Sequence, residues 1–206
     1  LQDGVGIVIP ILYIRDMRIV SGKYRGRTIV PPKNLRARPT TDFAKENLFN
    51  VLGNLVDWEE IDVLDLFSGT GSISYEFCSR GARNVTSVEI NAVHHAFIRK
   101  TAEQLGFGQL HALKANVFLY LKSCAKQFDV IFSDAPYDLQ GAEQVIDLVF
   151  EKGLLREDGL LIFEHSDRKR FEEHPNFWQT RSYGSVNFSI FTAEPQCSEE
   201  QITEGE

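Results

Sequence analysis

The stretch Val63-Leu-Asp-Leu-Phe-Ser-Gly-Thr-Gly71 constrains this chain more than any other. Val63, Leu64, Leu66 and Phe67 make a short apolar run of the kind that fills a buried strand, and Ser68-Gly69-Thr70-Gly71 cuts it off where a helical pattern begins. The local order is strand, tight glycine turn, helix. A residue without a Cβ allows positive φ and lets a ligand lie against the main chain. Two phosphate-binding readings fail on the residues. A dinucleotide fingerprint asks for G-x-G-x-x-G/A, whereas the run here is Gly69-Thr-Gly71-Ser-Ile-Ser74, and there is no G-x-x-x-x-G-K-[ST].

The next acidic residue narrows what the turn holds. Val85-Thr-Ser-Val-Glu-Ile90 reads as a second strand that ends in Glu89, 20 residues beyond Gly69, where a carboxylate can accept both hydroxyls of a ribose. Asp65 adds a carboxylate before the turn, which suits a cation and opposes a phosphate. A positively charged nucleoside without phosphate fits both, and S-adenosylmethionine is such a molecule. A nicotinamide-dependent oxidoreductase is disfavoured by Ser74 and by the acidic turn.

A chain of 206 residues is long enough for one domain with an appendage. Cys78, Cys124 and Cys197 show no paired spacing and only five histidines accompany them, so neither a disulfide framework nor a zinc site is expected. A reducing, cytoplasmic setting follows. The longest apolar run, Val5 to Ile14, is broken by Pro10, is too short to span a bilayer and lacks the flanks of a signal peptide. Met17 is the only methionine, so residues 1–16 are read as a non-native leader, with a genuine N-terminal strand as the alternative.

Charge is unevenly placed. Between Met17 and Lys45 eight basic residues face Asp42 alone, a local +7 in a chain of net charge −7. That asymmetry suggests a polyanion held at one end of an acidic protein. Arg18-Ile-Val-Ser-Gly-Lys-Tyr-Arg-Gly-Arg-Thr-Ile-Val30 reads as a β-hairpin with basic strands and turn. Arg18, Lys23, Arg25 and Arg27, with Arg36 and Arg38 beyond them, are the candidate phosphate contacts, and Tyr24 is a candidate to stack on an unpaired base. Pro31-Pro32 and Arg38-Pro39 keep the connector extended.

Thr41 or Asp42 caps the following helix, whose Ala44, Leu48, Val51, Leu52 and Leu55 form a face to pack on the main domain and bring Arg38-Pro-Thr-Thr41 toward the glycine turn. Further helices are expected at 72–80, ended by Gly81, and at 92–105, capped by Asn91 and ended by Gly106; His94-His95 reads as an exposed face of the latter and not a metal site. Strands are expected at 110–115, ending at Asn116 with an oxygen for an adenine amino group, at 128–133, 160–164, 178–183 and 186–192. The sum is an α/β fold with a mostly parallel sheet covered on both faces and an antiparallel end. Ligands of such sheets bind beyond the carboxyl ends of the strands, where Gly69, Glu89, Asn116 and Asp134 all fall. Residues 17–57 form the hairpin and helix extension, 58–193 the main domain, and 194–206 an acidic, disordered tail.

The chemistry is selected by Asp134-Ala135-Pro136-Tyr137, which resembles the D/N-P-P-Y/F motif of methyltransferases acting on exocyclic amines of bases. Such an amine is a poor nucleophile because its lone pair is delocalised into the ring. The Asp134 carboxylate and the carbonyl of residue 135 can accept its two hydrogens and aim the lone pair, while Tyr137 can stack on a base extruded into the pocket. No metal is needed. Ala135 replaces the usual proline, so the carbonyl survives but the loop loses a fixed φ.

Met17-Arg-Ile-Val-Ser-Gly-Lys-Tyr-Arg-Gly-Arg27, Arg38-Pro-Thr-Thr-Asp-Phe-Ala-Lys-Glu-Asn-Leu-Phe-Asn50, Asp65-Leu-Phe-Ser-Gly-Thr-Gly71 and the Asp134 motif, in this order and spacing, together resemble the RsmD family of bacterial enzymes that methylate N2 of a guanine in 16S rRNA on small-subunit particles. The resemblance implies a Rossmann-like class I methyltransferase fold with a seven-stranded sheet, S-adenosylmethionine as donor, the hairpin as an RNA-contacting element, and 16S rRNA in the small subunit or its assembly intermediate as partner of a monomer. On this reading Thr40, Asp65, Phe67, Ser68, Gly69, Gly71, Glu89, Ile90, Asn116 and Val117 form the cofactor-binding set. Asn116 stands where the family commonly has Asp. Methylation of an adenine N6 in DNA or RNA uses the same acceptor pair and stays open, as does a non-catalytic RNA-binding factor that has kept the fold.

Overall fold

A computed structural model describes residues 16–32, 35, 40–166 and 169–195. Arg36 and Arg38, most of the expected leader and most of the acidic tail lie outside the described residues. Two sheets are present. The small one pairs β1 (Met17–Arg18) antiparallel with β2 (Thr28–Ile29). The large one is built from β3 (Asp62–Leu66), β4 (Asn84–Glu89), β5 (Leu110–Lys114), β6 (Phe128–Ser133), β7 (Leu155–His165), β8 (Phe177–Tyr183) and β9 (Val186–Thr192). Its order is β5-β4-β3-β6-β7-β9-β8. The first five strands in that order run parallel, and β9 alone is antiparallel to its neighbours on both sides.

Alternation along each strand sorts side chains to two cores. Val63, Val85, Val130, Phe132 and Ile162 face α1 (Asp42–Leu52), α2 (Ser72–Arg80) and α3 (Ala92–Leu105). Leu64, Leu66, Val88, Ile131 and Leu161 face α4 (Val117–Ser123) and α5 (Gln144–Glu151). β3 is buried along its whole length, with Val63, Leu64 and Leu66 in the two cores and its two aspartates partnered, Asp62 by Arg83, Asn84 and Arg156 and Asp65 by Ser74. The sheet order departs in opposite directions from β3, toward β4 and toward β6, so the crevice at their carboxyl ends is the topological switch point.

The N-terminal hairpin belongs to the first core. Met17, Ile19 and Ile29 are buried in the same cluster as Leu48, Phe49 and Phe77. Its strands are only two residues long, and beyond them the hairpin is closed by Ile19 N–H to the Arg27 carbonyl at 3.0 Å and Gly26 N–H to the Ile19 carbonyl at 2.8 Å, while residues 20–24 are also held against α2. The buried Glu76 accepts the main-chain N–H of Val20 at 2.9 Å and of Ser21 at 3.0 Å. Ser79 continues the seam, its carbonyl accepting Lys23 N–H at 2.7 Å and its Oγ accepting Tyr24 N–H at 3.0 Å. Gly22 is required here, since with φ +79° a Cβ would stand 2.0 Å from the Ser79 carbonyl oxygen.

Two sequence expectations change. Tyr24, expected at the hairpin surface, is half-buried and held to the first core: its hydroxyl donates to the Leu105 carbonyl at 2.6 Å and its ring meets Phe107 edge-on at 4.9 Å. Lys45, counted in the basic segment, is 1% exposed and donates to the Arg18 carbonyl at 2.6 Å. Burial lowers its pKa, while Glu76 and Asp42 work to raise it. It is a strut between the hairpin, α1 and α2, with Ser72 and Glu76 of α2 at 3.3 and 4.0 Å, withdrawn from any external anion. On α1, Thr41 supplies the cap, accepting Ala44 N–H at 3.2 Å, and Phe49 takes the inward place expected of Leu55, which is 45% exposed. Among the described residues no helix is long and apolar enough to cross a membrane, and no group of three or more His, Cys, Asp or Glu is placed to hold a metal.

Candidate active site

The glycine turn leaves β3 with Phe67 at φ +56° and Gly69 at φ +54°, and α2 starts after Gly71. At Gly69 a Cβ would meet only the Phe67 carbonyl oxygen, at 3.9 Å, and would otherwise project into an open cleft of about 520 Å³. Glu89, at the end of β4, closes over the turn. Its Oε2 accepts Gly69 N–H at 2.8 Å and its Oε1 accepts Asn91 N–H at 2.6 Å. Each carboxylate oxygen has room for a second bond, and the residue lines the cleft. This is a fixed acceptor pair of the kind a ribose diol requires.

Behind the turn lies a recess of about 40 Å³ lined in part by Asp65, Ser68 and Thr70. Asp65 is buried and accepts from the Ser74 hydroxyl at 2.5 Å. Burial pushes its carboxyl up to about 7, with the Glu89 charge adding and the Ser74 hydrogen bond opposing. Ser74 thus has a use that the glycine or alanine of a dinucleotide fingerprint would not serve.

The opposite wall is the Asp134–Tyr137 segment, all four residues of which line the cleft. Asp134 follows β6 directly, with its N–H directed at the Leu66 carbonyl at 3.5 Å. Ala135 is 3% exposed and packs in the second core, so burial holds the loop at the position where a proline ring would stiffen it. Leu139 N–H donates to the Pro136 carbonyl at 2.9 Å and closes the turn.

A residue not expected from sequence ties these walls together. Glu164, buried near the end of β7, accepts Thr40 Oγ1–H at 3.0 Å and the Tyr137 hydroxyl at 3.2 Å. It joins the chain entering α1 to the motif loop. The signal for it was present: Leu160-Leu-Ile-Phe-Glu164 is an apolar strand finished by a glutamate, as is the strand that ends in Glu89. His94, read as exposed, is half-buried and lines the cleft as well.

Of the expected cofactor set, Thr40, Phe67, Gly69, Glu89 and Ile90 line the cleft and Asp65 and Ser68 the recess. Gly71 lies under the turn as the N-cap of α2. Asn116 and Val117 line neither space. The Asn116 Oδ1 caps α4, accepting Leu119 N–H at 3.2 Å, and Val117 is buried in the second core. They stand one strand over from Glu89, whose carbonyl accepts Ala115 N–H at 3.2 Å. Arg18, Lys23, Arg25 and Arg27 are exposed and outside the cleft. Because Lys23 bonds Ser79, in the last turn of α2, the hairpin tip lies at the far end of that helix from the glycine turn.

The family described as Conserved hypothetical protein 95 matches residues 17–192. The protein of Buchnera aphidicola subsp. Baizongia pistaciae named Ribosomal RNA small subunit methyltransferase D is 33% identical over 184 residues, covering 86% of this chain and 92% of that protein. Its namesake in Haemophilus influenzae is 30% identical, covering 85% of this chain and 93% of that protein. The solved yhhF structure from Escherichia coli superposes with a TM-score of 0.76 at 26% identity, over 88% of this chain and 99% of that one. A Thermus thermophilus 16S rRNA N2 G1207 methyltransferase in complex with AdoMet and guanosine shares the fold, with a TM-score of 0.66 at 21% identity over 86% of this chain and 49% of that one.

Proposed function

The chain belongs to the Conserved hypothetical protein 95 family, and from that premise we propose that it is an S-adenosylmethionine-dependent methyltransferase acting on N2 of a guanine in 16S rRNA of the small ribosomal subunit. The observation that carries the reading is the meeting, in one cleft, of a carboxylate pinned over a glycine turn and an Asp-x-Pro-Tyr segment. The residues fit the cofactor. Glu89 offers acceptors to a ribose, the open face of Gly69 admits close approach, the Asp65 carboxylate would suit a cationic group, and the exposed Ile90 would give an apolar surface to a purine.

When bound, S-adenosylmethionine supplies a methyl group already activated on a sulfonium. The chain's part is positioning. The Asp134 carboxylate and the Ala135 carbonyl accept the two hydrogens of the exocyclic amine, directing its lone pair, and Asp134 takes the proton the amine sheds. Tyr137, anchored through its hydroxyl to Glu164, presents its ring to the extruded base. The relatives named Ribosomal RNA small subunit methyltransferase D support an rRNA substrate, and the local +6 of residues 17–44, which leaves out the buried Lys45, supports a polyanion.

The test is methyl transfer from labelled S-adenosylmethionine to undermethylated small subunits and to naked 16S rRNA, followed by nucleoside digestion. Label is expected in N2-methylguanosine, and Asp134→Ala should lower turnover by at least roughly 100-fold while cofactor affinity is kept. Label in N6-methyladenosine would move the target to adenine. Absence of transfer with cofactor binding intact would leave an RNA-binding factor that has kept the fold.

A further inference from the structure

The cleft opens between the start of α1 and the turn joining β8 to β9, and its rim there is aromatic. Phe43 lies two residues beyond the cleft-lining Thr41 and is 63% exposed, on a helix whose Ala44, Leu48 and Phe49 are buried. Its ring meets that of Tyr183 edge-on, with centroids 6.3 Å apart at 86°. Tyr183 stands opposite Val186 in the ladder, and Val186 lines the cleft. A single exposed apolar residue needs no explanation. This one has an aromatic neighbour, a position on the rim of the reaction cleft, and cations around it.

Arg181 is exposed and, two residues before Tyr183 on the same strand, shares its face. Arg18, 56% exposed, sits at the entry to α1 through its ion pair with Asp42 at 3.0 Å. In the sequence Lys33, Arg36 and Arg38 lead into Thr40. Aromatic faces set among guanidinium groups match the chemistry of single-stranded nucleic acid, whose bases stack and whose phosphates pair with cations.

We propose that Phe43, braced edge-on by Tyr183, presents a stacking face to the unpaired nucleotide next to the target base, with its phosphate directed to Arg181 and Arg18. The inference deepens the rRNA methyltransferase reading and rests on it. A base drawn into the cleft loses its stacking neighbours in the RNA. The platform gives the adjacent base a replacement, so the cost of extrusion is lowered at the point where the strand turns inward.

The experiment compares wild type, Phe43→Ala, Phe43→Leu and Phe43→Trp in steady-state methyl transfer to undermethylated small subunits, with S-adenosylmethionine affinity measured separately. Loss of the ring should raise KM for the subunits roughly 10-fold in both Phe43→Ala and Phe43→Leu, while Phe43→Trp stays near wild type and cofactor affinity is the same in all four. An unchanged KM in Phe43→Ala, with wild-type transfer intact, would overturn the platform alone. A Phe43→Leu enzyme that behaves like wild type would also overturn it, because packing and not stacking would then be at work. A wild-type enzyme that labels no rRNA would overturn the functional reading as well.

Discussion

Asp65 shows how a residue's surroundings decide its chemistry. In the sequence it is one of two carboxylates flanking a glycine turn; in the fold it is buried beside Ser74, and burial lifts its pKa from 3.8 to about 7. An acid whose pKa is higher folded than unfolded binds more protons in the folded state between those values. Folding stability therefore falls as pH rises from 3.8 toward about 7 and is level above. A sulfonium placed near the group favours its ionised form, so cofactor binding below about pH 7 should release a proton and tighten as pH rises to that point. Calorimetry at about pH 6.5 in two buffers of different ionisation enthalpy reads this directly. The measured enthalpy should change with buffer in wild type and lose most of that dependence in Asp65→Asn; equal dependence in both would show that the proton comes from another group. Residue identity made Asp65, Glu89 and Asp134 legible beforehand. Glu164 and Glu76 were not, because nothing local distinguishes a buried glutamate from a solvated one until its partners from distant segments are in place.

At the scale of elements, local signals were sufficient where the determinant is local. Asn91 and Gly106 bound α3, and Gly81 ends α2 in the left-handed conformation, as their residue types require. The hairpin behaves differently. Its alternation of apolar and basic residues suggests two paired strands, yet residues 20–24 are bonded to Glu76 and Ser79 of α2, partners 55 to 58 residues away in the chain, with the Ser79 hydroxyl accepting from Tyr24 N–H and donating to the Ser21 carbonyl. Glu76 also holds Arg80 at 3.0 Å and lies 4.0 Å from Lys45. Glu76→Ala strands two main-chain donors and removes the partner of buried cations, so it should destabilise the fold by about 3–5 kcal/mol, with Glu76→Gln falling between it and wild type. Urea unfolding followed by circular dichroism measures this; a loss below about 1 kcal/mol would mean that the hairpin is not anchored through this carboxylate.

For the whole molecule, the cleft lies at the switch point of the sheet and the exposed basic groups of the hairpin lie outside it. The hairpin tip with Lys23, Arg25 and Arg27 lies beyond the far end of α2, so these groups are suited to phosphates distant from the target base. Neutralising the three together should weaken RNA binding uniformly and reduce the slope of log affinity against log salt by about 1 per lost phosphate contact, with cofactor affinity unchanged. Binding titrations across a salt series would show it, and an unaltered slope would remove the tip from the interface. The sequence by itself determined the order of the strands of the large sheet, the first three helices, the antiparallel end of the sheet, the glycine turn, and the placing of Glu89 and Asp134 at strand ends, because each depends on periodicity, caps or short spacing; α4 and α5 were not read from it. Only the tertiary structure decided that Lys45 is buried and Tyr24 tied to the core, that Glu164 joins the motif to the chain entering α1, and that the hairpin tip lies at the far end of α2 from the glycine turn. Those outcomes depend on which distant segments share a buried volume, and a buried charge or hydroxyl must take the partners that volume provides.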